Sequence, residues 1–413
     1  QPEYNYAYSY IKTDNPLYRL DKISGRDSSL FDRLPSATSI LATVLDNGNT
    51  YHFTEYQNSH QFNFCYRDLH SKLLKCEISV NLPVRIAHAN LYYQRMGRHD
   101  VSRQSIFFEP NIWLKGNAWE IKAKMNSEFP DLTTMVNYRD DSNPMNIILG
   151  NTQLRNIHYY DIEGGKTFEG KKHSRLNINT GYHQTDNAVA YSLVFDKQTG
   201  VSTVQPISVN GNYRMDLGIG YTRPLDKKEK LSIDNQASFN YNHNVDMAMV
   251  QGATQSQRSI VNNWKISDVL KLNYRLDDNY EFTLHGGGTY YLIKSQREGF
   301  SNIHAGDYNI GMNVQVALPW KLQLTTDLTM FARRGYQLSE MNTTDWIWNA
   351  QLSRSFINKK LLVKLQGFDI LRQLSNTQYL MNAQGRTETW NNSIPRYMML
   401  SLSWRFNVNP KKK

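Results

Sequence analysis

Long apolar runs are missing from this chain of 413 residues. Its uncharged apolar stretches, such as Ile147-Ile148-Leu149, fall far short of the ~20 residues a membrane-spanning helix needs. Transmembrane helices are therefore excluded, and transmembrane strands are not. Apolar residues as a class are also scarce, at 40% against the ~45–50% of an ordinary globular protein. Aromatic residues are not scarce: 26 Tyr, 16 Phe and 8 Trp make up 12% of the chain. Few apolar residues with many rings fit neither a helical membrane protein nor a disordered tail.

Runs of one charge are nearly absent as well. Lys plus Arg number 47 and Asp plus Glu 37, a net charge of +10. The basic residues are scattered singly, apart from Lys411–Lys413 and Lys227-Lys228-Glu229-Lys230, so the clustered footprint of a nucleic-acid-binding protein is missing. No nucleic-acid partner is expected. The opening Gln1-Pro2-Glu3 is neither basic nor apolar, so no signal peptide is read. The expectation is a removed signal or a piece of something longer.

Two cysteines are too few for a disulfide scaffold. Cys65 and Cys76 flank a short turn near Asp68–Ser71, which raises a cross-strand bridge. Phe62, Phe64 and Tyr66 share one face and put Cys65 on the other, whereas Cys76 is in phase with Leu74, Ile78 and Val80. Directly paired antiparallel residues share a face, so two free thiols are expected.

Catalytic and metal-binding patterns are missing too. The eleven histidines form no His-Glu-x-x-His, and there is no Cys-x-x-Cys. His285-Gly286-Gly287-Gly288 is like a fragment of an oxyanion loop, but it lies within a strand pattern with no Gly-x-Ser-x-Gly elsewhere. Close packing on a wall is the simpler reading. Asp140-Asp141-Ser142-Asn143 lacks the ligand spacing of an EF-hand and reads as a solvated loop. Asp277 and Asp278 occupy a tight turn, where Asp bonds locally. The chain is expected not to be an enzyme, with no catalytic residue, metal ligand or cofactor.

What is present is a period of two, the strand signature. From Met398 the chain reads Met398, Leu400, Leu402, Trp404 and Phe406 on one face, with Met399, Ser401, Ser403 and Arg405 on the other. Tyr308–Leu318, Leu322–Met330, Trp346–Phe356, Leu361–Leu371, Tyr213–Tyr221, Leu231–Tyr241, Trp264–Leu276 and Phe282–Leu292 alternate likewise. These runs reach 10 to 14 residues, the length that crosses a bilayer at a tilt and beyond the ~5–6 of a soluble sheet. One face is apolar and the other rich in Asn, Gln, Ser, Thr and Lys, as lipid outside and water inside require.

Short connections alternate with longer ones, as periplasmic turns and extracellular loops should. Asp196–Thr199 is the exception, a tight tip joining two unusually long strands. Fifteen strands are counted from about Thr50 to Phe406. Tyr4, Tyr6, Tyr8 and Tyr10 supply a possible sixteenth, with Leu17–Asn49 as a long outer loop. The fold class is all-β: a transmembrane antiparallel up-and-down β-barrel of 15–16 strands, with residues 1–413 as one unit.

Two groups of residues carry a resemblance. The closing strand, with Leu402, Trp404 and Phe406, resembles the C-terminal signal read by the barrel assembly machinery of the outer membrane, although the tail Asn407–Lys413 departs from it. Phe108-Glu109-Pro110, Pro130-Asp131-Leu132, Asn143-Pro144-Met145-Asn146 and Gly150-Asn151-Thr152-Gln153-Leu154 come in an order similar to the barrel region of TonB-dependent receptor-like proteins. Pro16-Leu17-Tyr18-Arg19-Leu20 and Gly367-Phe368-Asp369-Ile370-Leu371 are similar to that family too.

The resemblance implies a share in a 22-stranded barrel whose N-terminal plug, the part that engages the TonB complex, is not in this chain. It also implies an outer-membrane location, contact with outer-membrane lipid and a possible surface lipoprotein over the loops. Transport is then the expected function, with a self-contained 16-stranded passive porin as the alternative. Ligand contact is expected from the long loops Ser127–Arg155 and Arg372–Pro395, with Tyr379, Arg386 and Trp390 offering stacking faces and charge. Lys321, Gln323, Lys364, Gln366 and Arg405 are expected to line the lumen and bias it positive, favouring anionic solutes.

Overall fold

The computed structural model describes residues 2–23, 38–249, 252–297, 300–374, 377–381, 386–391, 394 and 396–406. Sixteen strands build the wall: β1 (Pro2–Asn15), β2 (Tyr51–Ser71), β3 (Cys76–Gln94), β4 (Val101–Phe108 with Asn111–Gly116), β5 (Trp119–Glu128), β6 (Ile157–Glu169), β7 (Arg175–Asp186) and β8 (Asn212–Pro224) in the first half. The second half is β9 (Leu231–Ala248), β10 (Gln257–Asp277), β11 (Tyr280–Ser295), β12 (Ile303–Leu318), β13 (Leu322–Arg334), β14 (Thr344–Phe356), β15 (Leu361–Phe368) and β16 (Tyr397–Trp404). Each pairs antiparallel with its neighbours in sequence, an up-and-down order throughout. The tyrosine run Tyr4–Tyr10 lies in β1, the sixteenth strand. Pro110, which has no N–H to give the ladder, marks the break in β4.

The register sorts side chains cleanly. Leu272, Leu284, Met312 and Leu328 stand opposite one another on one face, while Asn273, Thr283, Asn313 and Asp327 share the other. On the apolar face, Met312 and Leu400 are exposed by 48% and 64%. A full belt of such side chains is stable only against lipid.

Rings mark the belt's limits. Tyr182, Tyr213, Tyr241 and Trp264 form a chain across β7–β10, with centroids 6.0, 5.8 and 5.1 Å apart. Ten residues further along β10, Tyr274 lies 6.4 Å from Phe282. Ten residues at ~3.3 Å each is about 33 Å of strand, and a tilt near 40° turns that into about 25 Å of height, the depth of an outer-membrane apolar band. No helix among the described residues is long and apolar enough to cross a membrane.

The two long strands expected around Asp196–Thr199 are kinked. Asn187 (φ 58°) and Gly211 (φ 105°) interrupt the chain, and the outer halves, Ala188–Phe195 and Ser202–Val209, leave the wall as a separate hairpin. The pairing does not slip: Thr185 faces Asn212 below the kink and Ala188 faces Val209 above it.

Cys65 and Cys76 are both buried and unbridged. Cys65 faces Asn81, on the side opposite to Cys76, as the alternation requires. Among the described residues no pairing joins β1 to β16, so the sheet is open along that seam.

Candidate functional site

At the end of the wall that carries the long connections, loop 129–156 folds over the inner face of β2–β4, which is apolar there. Asp131 starts this fold. Its Oδ1 accepts from Thr133 N at 2.9 Å and Thr133 Oγ1 at 2.7 Å, capping a 3-10 turn over Leu132–Met135. That turn presses Leu132, Met135 and Val136, with Leu154, onto Ala89, Leu91, Tyr93 and Val101. Ala89 and Leu91 are wholly buried. Each large apolar side chain buried this way contributes ~1.5–3 kcal/mol.

The Gly150–Leu154 motif closes the loop. A Cβ on Gly150 would stand on the Val136 carbonyl oxygen, so only glycine fits. Asn151 Nδ2 donates to Pro206 O at 2.9 Å, tying the loop to the outer hairpin. Asn146–Ile148 also runs parallel to Ser202–Val204 of that hairpin.

Arg95, one residue beyond β3, is the hub. It is 2% exposed. Its Nη1 pairs with Asp140 at 2.9 Å, Nη2 donates to Asn49 Oδ1 at 2.6 Å and Nε donates to Gly48 O at 3.1 Å. The guanidinium lies 4.9 Å from the centre of the Tyr138 ring. Burial opposes its charge, but the Asp140 carboxylate together with Tyr93 and Tyr138 outweighs that and raises its pKa. Burial opposes the Asp140 charge likewise, and hydrogen bonds from Ser142 together with Arg95 hold its carboxyl below the usual 3.8.

Between loop, hairpin and wall lies a cleft of about 760 Å³, within the size range of small-molecule sites. Tyr51, Phe53, Tyr93, Tyr138 and Tyr191 line it, with Asp131, Thr133, Thr134 and Asp140 as polar edges. A smaller alcove of about 320 Å³ lies on the inner face, with Gly165, Gly181 and Gly218 among its lining residues. Beside it His183 Nδ1 meets Asp161 at 2.5 Å and Nε2 lies 3.4 Å from Asp216, which Arg214 pairs at 2.7 Å. A Cβ on Gly181 would come within 2.9 Å of that imidazole. The inner face here carries both signs of charge.

The register puts Gln323, Lys364 and Gln366 on the inner face, with Gln323 and Lys364 both opposite Ser353. Lys321 does not join them. It ends the turn Pro319–Lys321, where Trp320 and Lys321 take left-handed φ of 61° and 59°, and alternation begins only at Leu322. Arg405 follows β16, its N–H donating to Lys360 O at 2.8 Å. Leu402 and Trp404 stand on the outer face opposite Val363 and Leu361, and Phe406 lies beyond the strand end.

Tyr379, Arg386 and Trp390 fall on a hairpin, Thr377–Met381 with Arg386–Trp390, whose side chains lie outside the described residues. Sequence reasoning missed Arg95 and the cleft rings. A signal existed in the inner phase of β3, where Ala87, Ala89 and Leu91 replace the polar residues expected there; an apolar inner face calls for a covering loop.

Residues 248–404, somewhat more than a third of the chain, match a family described as the outer membrane protein beta-barrel family. Curated proteins give no match. Among solved structures the chain is similar to OccK5 (OpdH) of Pseudomonas aeruginosa at 9% identity, covering 98% of both chains with a TM-score of 0.25. It is also similar to the trimer form of OmpT of Vibrio cholerae at 11% identity, covering 95% and 96% with a TM-score of 0.26. The beta domain of the Bordetella autotransporter BrkA shares 8% identity over 75% of this chain and 93% of that one, with a TM-score of 0.22. The strand order, the lipid-facing belt and the family match place this protein in the outer membrane as an antiparallel β-barrel.

Proposed function

We propose that the protein is a non-catalytic transport barrel of the TonB-dependent receptor-like kind: the loop end captures a ligand, and the polar inner face conducts it once a plug moves. The observation that carries this reading is the ring-lined cleft at the loop end, built by loop 129–156 over the inner face and directly above polar wall. A plain pore has no need of a rigid cleft held by a buried arginine. Coupling to the TonB complex would act through a plug outside this chain, and a surface lipoprotein is a natural cover for the cleft. Insertion would use the barrel assembly machinery, with Leu402, Trp404 and Phe406 as the closing signal.

The alternative is a passive sixteen-stranded porin. It is favoured by β1 and β16 running in opposite directions with Tyr4 and Leu400 both on the outer face, which suits them to pair. Conductance in planar bilayers separates the two readings. Protein extracted from native outer membranes should show no steady open channel if it is a plugged receptor. A constant ohmic conductance would overturn the receptor and support the porin.

A further inference from the structure

A third cavity, of about 500 Å³, lies on the inner face between β7–β10 and the foot of the outer hairpin. Its floor is neutral and polar: Thr185, Asn212, Asn244, Ser259 and Asn263. Two floor atoms stand out. Ser259 Oγ and Asn263 Oδ1 are buried and have no hydrogen-bond partner among the described residues. Ser259 as a whole is only 6% exposed. Orphaned polar atoms at such depth are costly to the fold, a cost that a bound ligand recovers.

We propose that this cavity binds a neutral, hydroxyl-bearing ligand longer than one sugar ring. Asn263 Oδ1 can only accept, so the ligand must donate to it, and the Ser259 hydroxyl can do either. The two lie four residues apart on one face of β10, about 13 Å of strand, so a ligand serving both must be elongated. Neutrality follows from the charges at the edge. Asp246 and Arg297 put one charge of each sign at the edge, so the cavity has no net charge to favour an ionised ligand over a neutral one, and an ionised ligand would still lose its hydration. The rim of Val209, Val245 and Val261 suits the apolar faces of sugar rings.

The test uses the full chain in detergent micelles, with trehalose as the neutral probe and glucuronate as the anionic one, read by saturation-transfer NMR. Trehalose should bind and glucuronate should not. Ser259→Val and Asn263→Leu should each weaken trehalose binding about tenfold, the loss of one hydrogen bond to a desolvated group. Lys227→Ala, in an exposed turn at the other end of the wall, should leave it unchanged. Thr185→Ile fills the cavity from a different strand and should also weaken binding, which guards against misfolding of the first two variants. Trehalose binding that ignores all three cavity variants would overturn the proposal. So would an absence of trehalose binding together with ordered waters on both atoms in a high-resolution structure.

Discussion

The two ends of the same strands are built on different principles. At the turn end the contacts that shape each turn are local, and exposed pairs such as His173 with Glu229 join neighbouring turns only at the surface. Asp277 Oδ1 accepts from Asn279 N at 2.8 Å, Asp226 Oδ1 accepts from Leu231 N at 2.9 Å, and left-handed residues such as Asn358 close the hairpins. At the loop end the contacts reach across the chain. Arg95 meets Gly48, 47 residues away, and Asn151 meets Pro206, 55 residues away. The lower wall therefore holds by ladder and lipid, and the upper end holds as a small packed core with a charged centre. Each can be damaged without the other.

The sharpest break is Arg95→Met. It leaves Gly48 O and Asn49 without their donor and the part-exposed Asp140 without its cation, a loss of about 1–3 kcal/mol to the loop end. Loop 129–156 should become protease-sensitive while the wall keeps its heat-modifiable mobility on gels. Loss of both together would mean that wall and loops form one cooperative unit.

The next test probes the wall. Met312→Arg puts a cation on the lipid face at a cost of ~2–4 kcal/mol, whereas Asn313→Arg puts one on the inner face opposite Asp327. Yield of folded protein in membranes should fall for the first and hold for the second. Equal yields would refute the assignment of faces.

The smallest effect is acid sensitivity at the cleft. The Asp140 pKa is lowered in the folded protein, so its contribution is present above the unfolded value near 4 and is lost as pH falls through the folded one. Tyrosine fluorescence from the cleft should stay flat from pH 8 to 5 and change only below about 4. Because Asp140 is part-exposed, the change should be modest. A transition near pH 6 would point to a histidine instead.

The same contrast explains what could be read in the sequence. Alternation is a local property, so fifteen strands, the two faces and the opposed cysteines were legible between Thr50 and Trp404, while Tyr4–Tyr10 read only as a possible sixteenth strand because periodicity alone did not settle it. Lys321 was misread because a period of two does not reveal where a turn ends; the left-handed φ of Trp320 and Lys321 resets the phase. Ala188–Phe195 and Ser202–Val209 looked like wall because their register never breaks, and Asn187 and Gly211 were the only cue. Asp140 read as a solvated loop residue because its partner is Arg95, and no short-range pattern connects them.

The kinked hairpin has a mechanical consequence. Tyr191 and Pro206 face the ring-lined cleft, while Ala188 and Val209 face the inner cavity. This one two-stranded hairpin, set off from the wall at Asn187 and Gly211, thus forms a common partition of two chambers. A ligand that displaced this partition toward one chamber would take volume from the other.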